Sequence, residues 1–248
     1  MSANGPDRYP LPLYELPALR GIAGPTLRPG GLSLTERALA LSGLPAGARV
    51  LDVGCGLGAT VELLRARYGL RAAGVDPAWK LVQQGRRSYP ALPLSAGRAE
   101  ALPCKDETLA ALFFECVLSL VPDPERALRE ARRALLPGGR LLVADLYSRG
   151  PVPGPGSRGS SVPGPCCVSG AMSRASIESR LERNGFSVEI WEDHSSALKE
   201  LAVQAVFAYG SMRAFWTRAF PACDADTLCL HTARLRLGYY ILIGVKRS

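Results

Sequence analysis

Arg49-Val-Leu-Asp-Val-Gly-Cys-Gly-Leu-Gly-Ala59 decides the fold. Its apolar run, Val50 to Val53, reads as a buried parallel strand. It passes through Gly54-Cys55-Gly56-Leu57-Gly58 into a helical pattern from Ala59 to Tyr68. Glycines suit a sharp turn that a ligand must approach with no Cβ in the way. A strand–glycine loop–helix unit also offers unpaired amides at the helix N-terminus. Asp52 sits just before the loop, at the carboxyl end of the strand, where open α/β sheets bind ligands.

Working outward, Ala72-Ala-Gly-Val75 reads as a second strand and ends in Asp76-Pro77. Asp76 lies about 20 residues beyond the loop, the spacing at which a carboxylate meets ribose hydroxyls. Further strands are expected at 93–96, 110–115, 139–146, 186–191 and 237–245, with helices at 78–89 and 124–136. Asp123-Pro124 supplies an N-cap acceptor and a first-turn proline. Ser33-Leu-Thr-Glu36 reads as a capping box that opens a helix ending at Gly43. Met172 and Ile177 form a hydrophobic staple around a helix that stops at Asn184-Gly185. Ser196 to Phe220 is apolar on more than one face and reads as buried helix broken at Gly210. Alternating strands and helices imply an α/β fold with a mostly parallel, doubly wound sheet.

A dinucleotide fingerprint spaces its glycines G-x-G-x-x-G, whereas Gly54, Gly56 and Gly58 alternate. With Gly74-Val-Asp-Pro77 and the later turn Leu136-Pro-Gly-Gly-Arg140, the stretch from Leu32 to Tyr147 resembles the class I S-adenosylmethionine (SAM)-dependent methyltransferases. The likeness is greatest to the small-molecule branch that includes ubiquinone-biosynthesis and arsenite methyltransferases. The resemblance implies a Rossmann-like seven-stranded sheet whose last strand is antiparallel and inserts between the fifth and sixth. It also implies one domain over 1–248: a cap over 1–45, a cofactor-binding core over 46–148, a flexible loop over 149–170, and a C-terminal part over 171–248. That last part carries a helical insertion at about 196–234.

The same resemblance implies SAM as cofactor. Gly54, Cys55, Gly56 and Gly58 would line its amino-acid end, Asp52 would sit near its ammonium, and Asp76 with Pro77 would hold the ribose. Gly97-Arg-Ala-Glu-Ala-Leu-Pro103 matches the adenine segment, with Ala99 and Glu100 as candidate contacts. It departs from the family pattern at Arg98, where Asp is usual; an arginine has no acceptor for the adenine amino group. Arg28-Pro-Gly-Gly31 is either a plain turn or a contact to the methionine end. Glu115 and Cys116, after the fourth strand, fall beside the transferring methyl and are catalytic candidates, Glu115 for cofactor binding as well. Nucleic-acid methyltransferases usually show Asn-Pro-Pro-aromatic or Pro-Cys at that point. Phe114-Glu-Cys-Val shows neither, which favours a small acceptor.

The net charge of +8 over 248 residues admits a nucleic-acid partner. Yet Arg126, Arg129, Arg132 and Arg133 fall at helix spacing, no aromatic-interleaved basic run occurs, and a solvated helix face explains them. No apolar run reaches the length of a membrane span, and the N-terminus has no signal-peptide pattern, so a cytoplasmic enzyme is expected. Seven cysteines read as thiols, and no metal site is expected. Cys166, Cys167, Cys223 and Cys229 nevertheless motivate an alternative, methylation of a thiophilic metalloid or selenium species. A second alternative is a non-catalytic SAM-binding regulatory or assembly protein. Asp193-His194-Ser195 offers either a general base in His194 or a helix-start cap. The Pro/Gly/Ser-rich stretch at 150–165 is either a lid over the acceptor or a linker.

Overall fold

The Val50–Val53 run is buried at every position of strand β1 (Arg49–Val53) after its exposed first residue. A strand covered on both faces needs such a continuous apolar run. The computed structural model describes residues 17–152, 167–220 and 223–247. In chain order, α1 (Pro17–Ala23) and α2 (Gly31–Ser42) lead into β1. Then come α3 (Ala59–Ala66), β2 (Arg71–Asp76), α4 (Trp79–Ser88), β3 (Leu94–Ala96) and β4 (Leu109–Glu115). They are followed by α5 (Pro124–Ala134), β5 (Leu135–Ser148), β6 (Met172–Ser173), α6 (Arg174–Arg183) and β7 (Phe186–Asp193). Helices α7 (Ser195–Tyr209), α8 (Met212–Ala219) and α9 (Ala225–Leu235) precede the last strand, β8 (Leu237–Lys246).

The sheet order is β3-β2-β1-β4-β5-β8-β7. β8 runs antiparallel to both β5 and β7, and the β1–β2, β1–β4, β2–β3 and β4–β5 pairs are parallel. The expected insertion of an antiparallel last strand is therefore present. One unexpected strand is added: Met172 and Ser173 pair with Tyr147 and Ser148. Alternate residues of each central strand enter two apolar layers. Phe113, Leu142 and Ile241 pack beneath α2, α3 and α7–α9, while Phe114, Val143 and Leu242 pack against α5 and α6. The strand order reverses between β1 and β4, so their carboxyl ends border the crevice where doubly wound sheets take ligands.

Local signals succeed where a side chain supplies the stop or start. Asp123 accepts from Arg126 N, Ser173 accepts from Ser176 N, and Gly43, Gly185 and Gly210 are left-handed at helix ends. Two expectations need correction. Ser33 does not cap α2, which starts two residues earlier behind a left-handed Gly30; Glu36 instead takes Arg67 and Tyr68. The Leu136–Arg140 turn does not precede β5 but lies within it. Leu109 faces Leu135 and Ala111 faces Arg140, so four residues bulge out around a left-handed Gly138. Most of the 150–165 stretch, including Cys166 just beyond it, and the first sixteen residues lie outside the described residues.

Candidate functional site: a cofactor crevice opening into an apolar chamber

A cavity of about 790 Å³ begins at the crevice between β1 and β4. It lies toward the upper end of the range of small-molecule sites, roughly 300–1,000 Å³. Its first half is polar. Asp52, Gly54, Cys55, Gly56, Asp76, Pro77, Arg98, Ala99, Glu100, Glu115 and Cys116 all line it. Of the residues singled out for cofactor binding or catalysis, Gly58 and His194 do not.

Asp76 is held rigidly. Its Oδ2 accepts from Gly56 N at 2.8 Å and its Oδ1 from Ala78 N at 2.7 Å. A carboxylate can accept about four bonds, so two amides fix Asp76 without exhausting it. The glycine loop differs from the expected cradle of unpaired amides. Gly54 N and Cys55 N both donate to Val75 O, at 2.8 and 3.1 Å, and Gly58 N donates to Cys55 O. The loop is therefore stitched to β2, and its glycines serve backbone shape: Gly54 has φ +77°, and a Cβ there would lie 2.5 Å from Val117 Cγ2. The Cys55 thiol is pushed up by burial and then by Asp52 and Asp76, so it stays protonated.

Asp52 is 2 % exposed and lines the cavity, and no side-chain hydrogen bond to its carboxyl is seen among the described residues. Burial pushes its pKa well above the carboxylate range; Glu115 adds to this, Arg28 opposes it and Asp76 adds a little more. A buried carboxyl held toward its neutral form at a cavity wall is stabilised in its ionised form when a cation enters. The ammonium of a bound SAM fits that need, as a vicinal diol fits Asp76.

Glu115 has a different surrounding from that of a free base. Arg28 Nη2 lies 2.8 Å from Glu115 Oε2. Thr35 Oγ1 donates to Oε1 at 2.8 Å and Thr60 Oγ1 to Oε2 at 3.0 Å. The guanidinium in turn donates to both hydroxyls. The pair thus ties the loop before α2, α2 itself and α3 to the end of β4. Burial lowers the Arg28 pKa, but Glu115, then Tyr239 and Asp52, raise it by more, so the guanidinium stays charged. Arg28 Nε is buried without a partner among the described residues. The sequence offered Arg28 as part of a plain turn or as a contact to the methionine end; its pairing with Glu115 was not legible, because that partner is far along the chain.

Cys116 follows β4 in a left-handed conformation, φ +57°, and its Sγ lies 3.3 Å from Tyr239 Oη. Burial first, and then Asp145, push its thiol up, so it is no thiolate. Asp145, at the same sheet edge, accepts from Ser119 N and Ser119 Oγ at 2.9 and 2.6 Å and has a pKa raised by burial to about 6. It fixes the β4–α5 loop that carries Leu120, Val121 and Pro122 to the cavity. His194, a candidate base, points elsewhere: its Nε2 lies 2.9 Å from Glu192 Oε2. Asp193 accepts from Ser195 N instead, and opens α7.

The adenine segment brings Arg98 and Glu100 within 3.8 Å of each other. The Arg98 side chain is mostly exposed, while that of Glu100 is mostly covered at the cavity wall. Basic residues of α5 are also committed: Arg133 pairs with Glu130 and Asp106, and Arg126 Nε donates to Glu100 O.

The second half of the cavity is apolar. Leu19 and Ile22 come from α1; Leu198, Leu201, Ala202 and Ala205 from α7; Met212, Phe215 and Trp216 from α8; and Cys229, Thr232 and Ala233 from α9. Cys167 and Cys229 line the cavity and Cys223 does not. Among the described residues no three metal-type ligands stand together, so these cysteines form no thiolate cluster. No helix among them is long and apolar enough to cross a membrane.

The fold matches the Rossmann-like fold of SAM-dependent methyltransferases. Residues 51–143 match the family model described as a methyltransferase domain. The demethylmenaquinone methyltransferase of Streptomyces avermitilis is 36 % identical over 110 residues, 44 % of this chain and 47 % of that protein. The matches span less than half the length of the first curated relatives. The crystal structure of the [4+2]-cyclase SpnF aligns with a TM-score of 0.69 and 25 % identity, over 87 % of this chain and 81 % of that one. The Haemonchus contortus phosphoethanolamine N-methyltransferase 2, solved in complex with SAM, aligns at 0.69 with 19 % identity, over 93 % of this chain and 56 % of that one.

Proposed function

We propose that the chain, acting as one domain around one sheet, is a cytoplasmic SAM-dependent methyltransferase for a small-molecule acceptor. The observation that carries this reading is the crevice between β1 and β4, with buried Asp52 on one side of the glycine loop and amide-fixed Asp76 on the other. Asp76 would accept from the ribose diol, in charge-assisted bonds stronger than neutral ones. Pro77, Ala99 and Glu100 would flank adenine. The turns at Gly54, Cys55 and Gly56 would leave room for the methionine end, with its ammonium on Asp52.

Bound SAM supplies an electrophilic methyl: the S–CH₃ bond breaks as the acceptor–CH₃ bond forms, and the electron pair stays on sulfur. The chain's part is alignment and exclusion of water. Glu115 acts through Arg28, Thr35 and Thr60 as a positioning residue that holds the N-terminal segment over the crevice. Cys116 forms wall rather than base, and any proton the acceptor loses passes to water.

Isothermal titration with SAM tests this: one site per chain is expected, and no binding would overturn it. A second reading is favoured by the apolar half of the cavity, where no described residue is an enclosed ionised group. Shaping an apolar chain for cyclisation needs no base, and SAM would then be retained unreacted. Radiolabelled SAM separates the two, because only methyl transfer moves the label into a product.

A further inference from the structure

The charged groups of the cavity sit at one end. Asp52, Asp76, Arg28 and Glu115 surround the crevice, with Arg98 and Glu100 at the adenine segment. Beyond Cys116 the wall changes character. Three helices from the segment between β7 and β8 line the space, and their polar residues there are Thr232, Cys229 and Lys199. Lys199 is exposed to solvent, so the enclosed part of this wall is apolar apart from Thr232 and Cys229. An acceptor with a fixed phosphate, carboxylate or ammonium would leave that charge in an apolar enclosure without a partner, and uncompensated buried charge is strongly disfavoured.

Shape adds to this. Beside Leu198 and Leu201, α7 presents the small Ala202 and Ala205 toward the space, which leaves room there. Phe215 and Trp216, with ring centroids 5.1 Å apart, line the cavity, and Phe220 backs Trp216 at 6.0 Å. Met212, an adaptable side chain, also lines the cavity.

Resting on the methyltransferase reading, we infer that the acceptor carries no charge beyond its reacting atom and has an extended apolar body. That body lodges between α7, α8 and α9, with the reacting atom toward Cys116. Neutral prenylated phenols and hydroquinones and polyketide-like chains have this chemistry; phosphobases and amino acids do not.

The test uses N-phenyl-1-naphthylamine, a neutral apolar fluorophore, with the full chain, titrated with and without S-adenosylhomocysteine. A single saturable site is expected, with energy transfer from Trp216. Ala205→Trp and Ala202→Phe fill the space from α7 and should each weaken the probe about tenfold, roughly the effect of 1.4 kcal/mol. Calorimetric S-adenosylhomocysteine binding should stay within about twofold in both variants, which also shows that they fold. Tritium from labelled SAM should enter an organic-extractable product with a farnesylated hydroquinone and not enter phosphoethanolamine or glycine.

Absence of probe binding, probe binding indifferent to both variants, or label in phosphoethanolamine or glycine would each overturn the inference. Loss of S-adenosylhomocysteine binding in the wild-type protein overturns the methyltransferase reading instead. The probe titration without it still decides the character of the chamber.

Discussion

Arg28 and Glu115 meet at 2.8 Å with 6 % and 5 % of their side chains exposed, and the contact joins the segment before α2 to the end of β4. Every oxygen of the carboxylate is used, by Arg28, Thr35 or Thr60. A buried ion pair is weak evidence for stability, yet removal of one partner strands the other charge and costs about 3–5 kcal/mol. Glu115→Leu should therefore lower the urea-unfolding free energy by about that much. The double variant Arg28→Met/Glu115→Leu should recover most of the loss, since no charge is left unpaired. If the double variant is as unstable as the single one, the pair matters for packing rather than charge.

Asp76→Asn retains an acceptor and removes the charge. A charged hydrogen bond contributes about 1.5–3 kcal/mol, so SAM affinity should fall roughly tenfold to a hundredfold by calorimetry. The melting temperature should move little, because the asparagine carbonyl can still take the Gly56 or Ala78 amide. An unchanged Kd would remove Asp76 from the cofactor site.

The pH dependence of SAM binding follows from Asp52. An exposed Asp titrates near about 3.9; burial, then Glu115, hold Asp52 well above that, against the pull of Arg28 and with a further push from Asp76. With its folded pKa raised, Asp52 weakens the ligand-free protein as pH rises from the ordinary carboxylate range through the raised value. A cation seated on it favours the ionised form, so binding should expel a proton and SAM affinity should increase with pH across the same window. Titrations in two buffers of different ionisation enthalpy measure the released proton. In Asp52→Asn both the release and the pH slope should vanish. Wild-type affinity that does not change with pH over that window is incompatible with this role.

The cofactor side was legible because it is local. A strand, its glycine turn and the acid after the next strand lie within 28 residues, 49–76, and each announces itself by residue type and spacing. Helix ends at Gly43, Gly185 and Gly210 were legible for the same reason. What escaped depends on partners far along the chain. Glu115 read as a candidate beside the transferring methyl, and only the structure shows Arg28, Thr35 and Thr60 closed around it; His194 read as either a base or part of a helix-start cap, and its ring meets Glu192. The Ser33 cap failed because Gly30 and Gly31 already supply the turn, and helix α2 begins before Ser33 can act. The helical segment at about 196–234 read as a plausible site of substrate specificity, but its chamber did not, because a helix apolar on more than one face gives no periodicity that says which face lines empty space.

Gly85 lies within α4, where alanine is normally better by about 0.8–1.0 kcal/mol. Here the sign should reverse. A Cβ at Gly85 would sit 2.5 Å from the carbonyl oxygen of Leu57 and 2.9 Å from its carbonyl carbon, both backbone atoms of the glycine loop. Backbone cannot swing aside as a side-chain tip can, and overpacking of this kind costs about 1–3 kcal/mol. The net expectation for Gly85→Ala is a loss of roughly 1 kcal/mol in urea unfolding, the overpacking outweighing the helix gain. Because the displaced atoms belong to Leu57, between Gly56 and Gly58, SAM affinity should fall in the same variant. Gly21→Ala in α1 is the control, since nothing lies within 4 Å of its added Cβ; it should be neutral or stabilising. A Gly85→Ala protein at least as stable as wild type, with unchanged SAM affinity, would show that α4 does not set the shape of the loop.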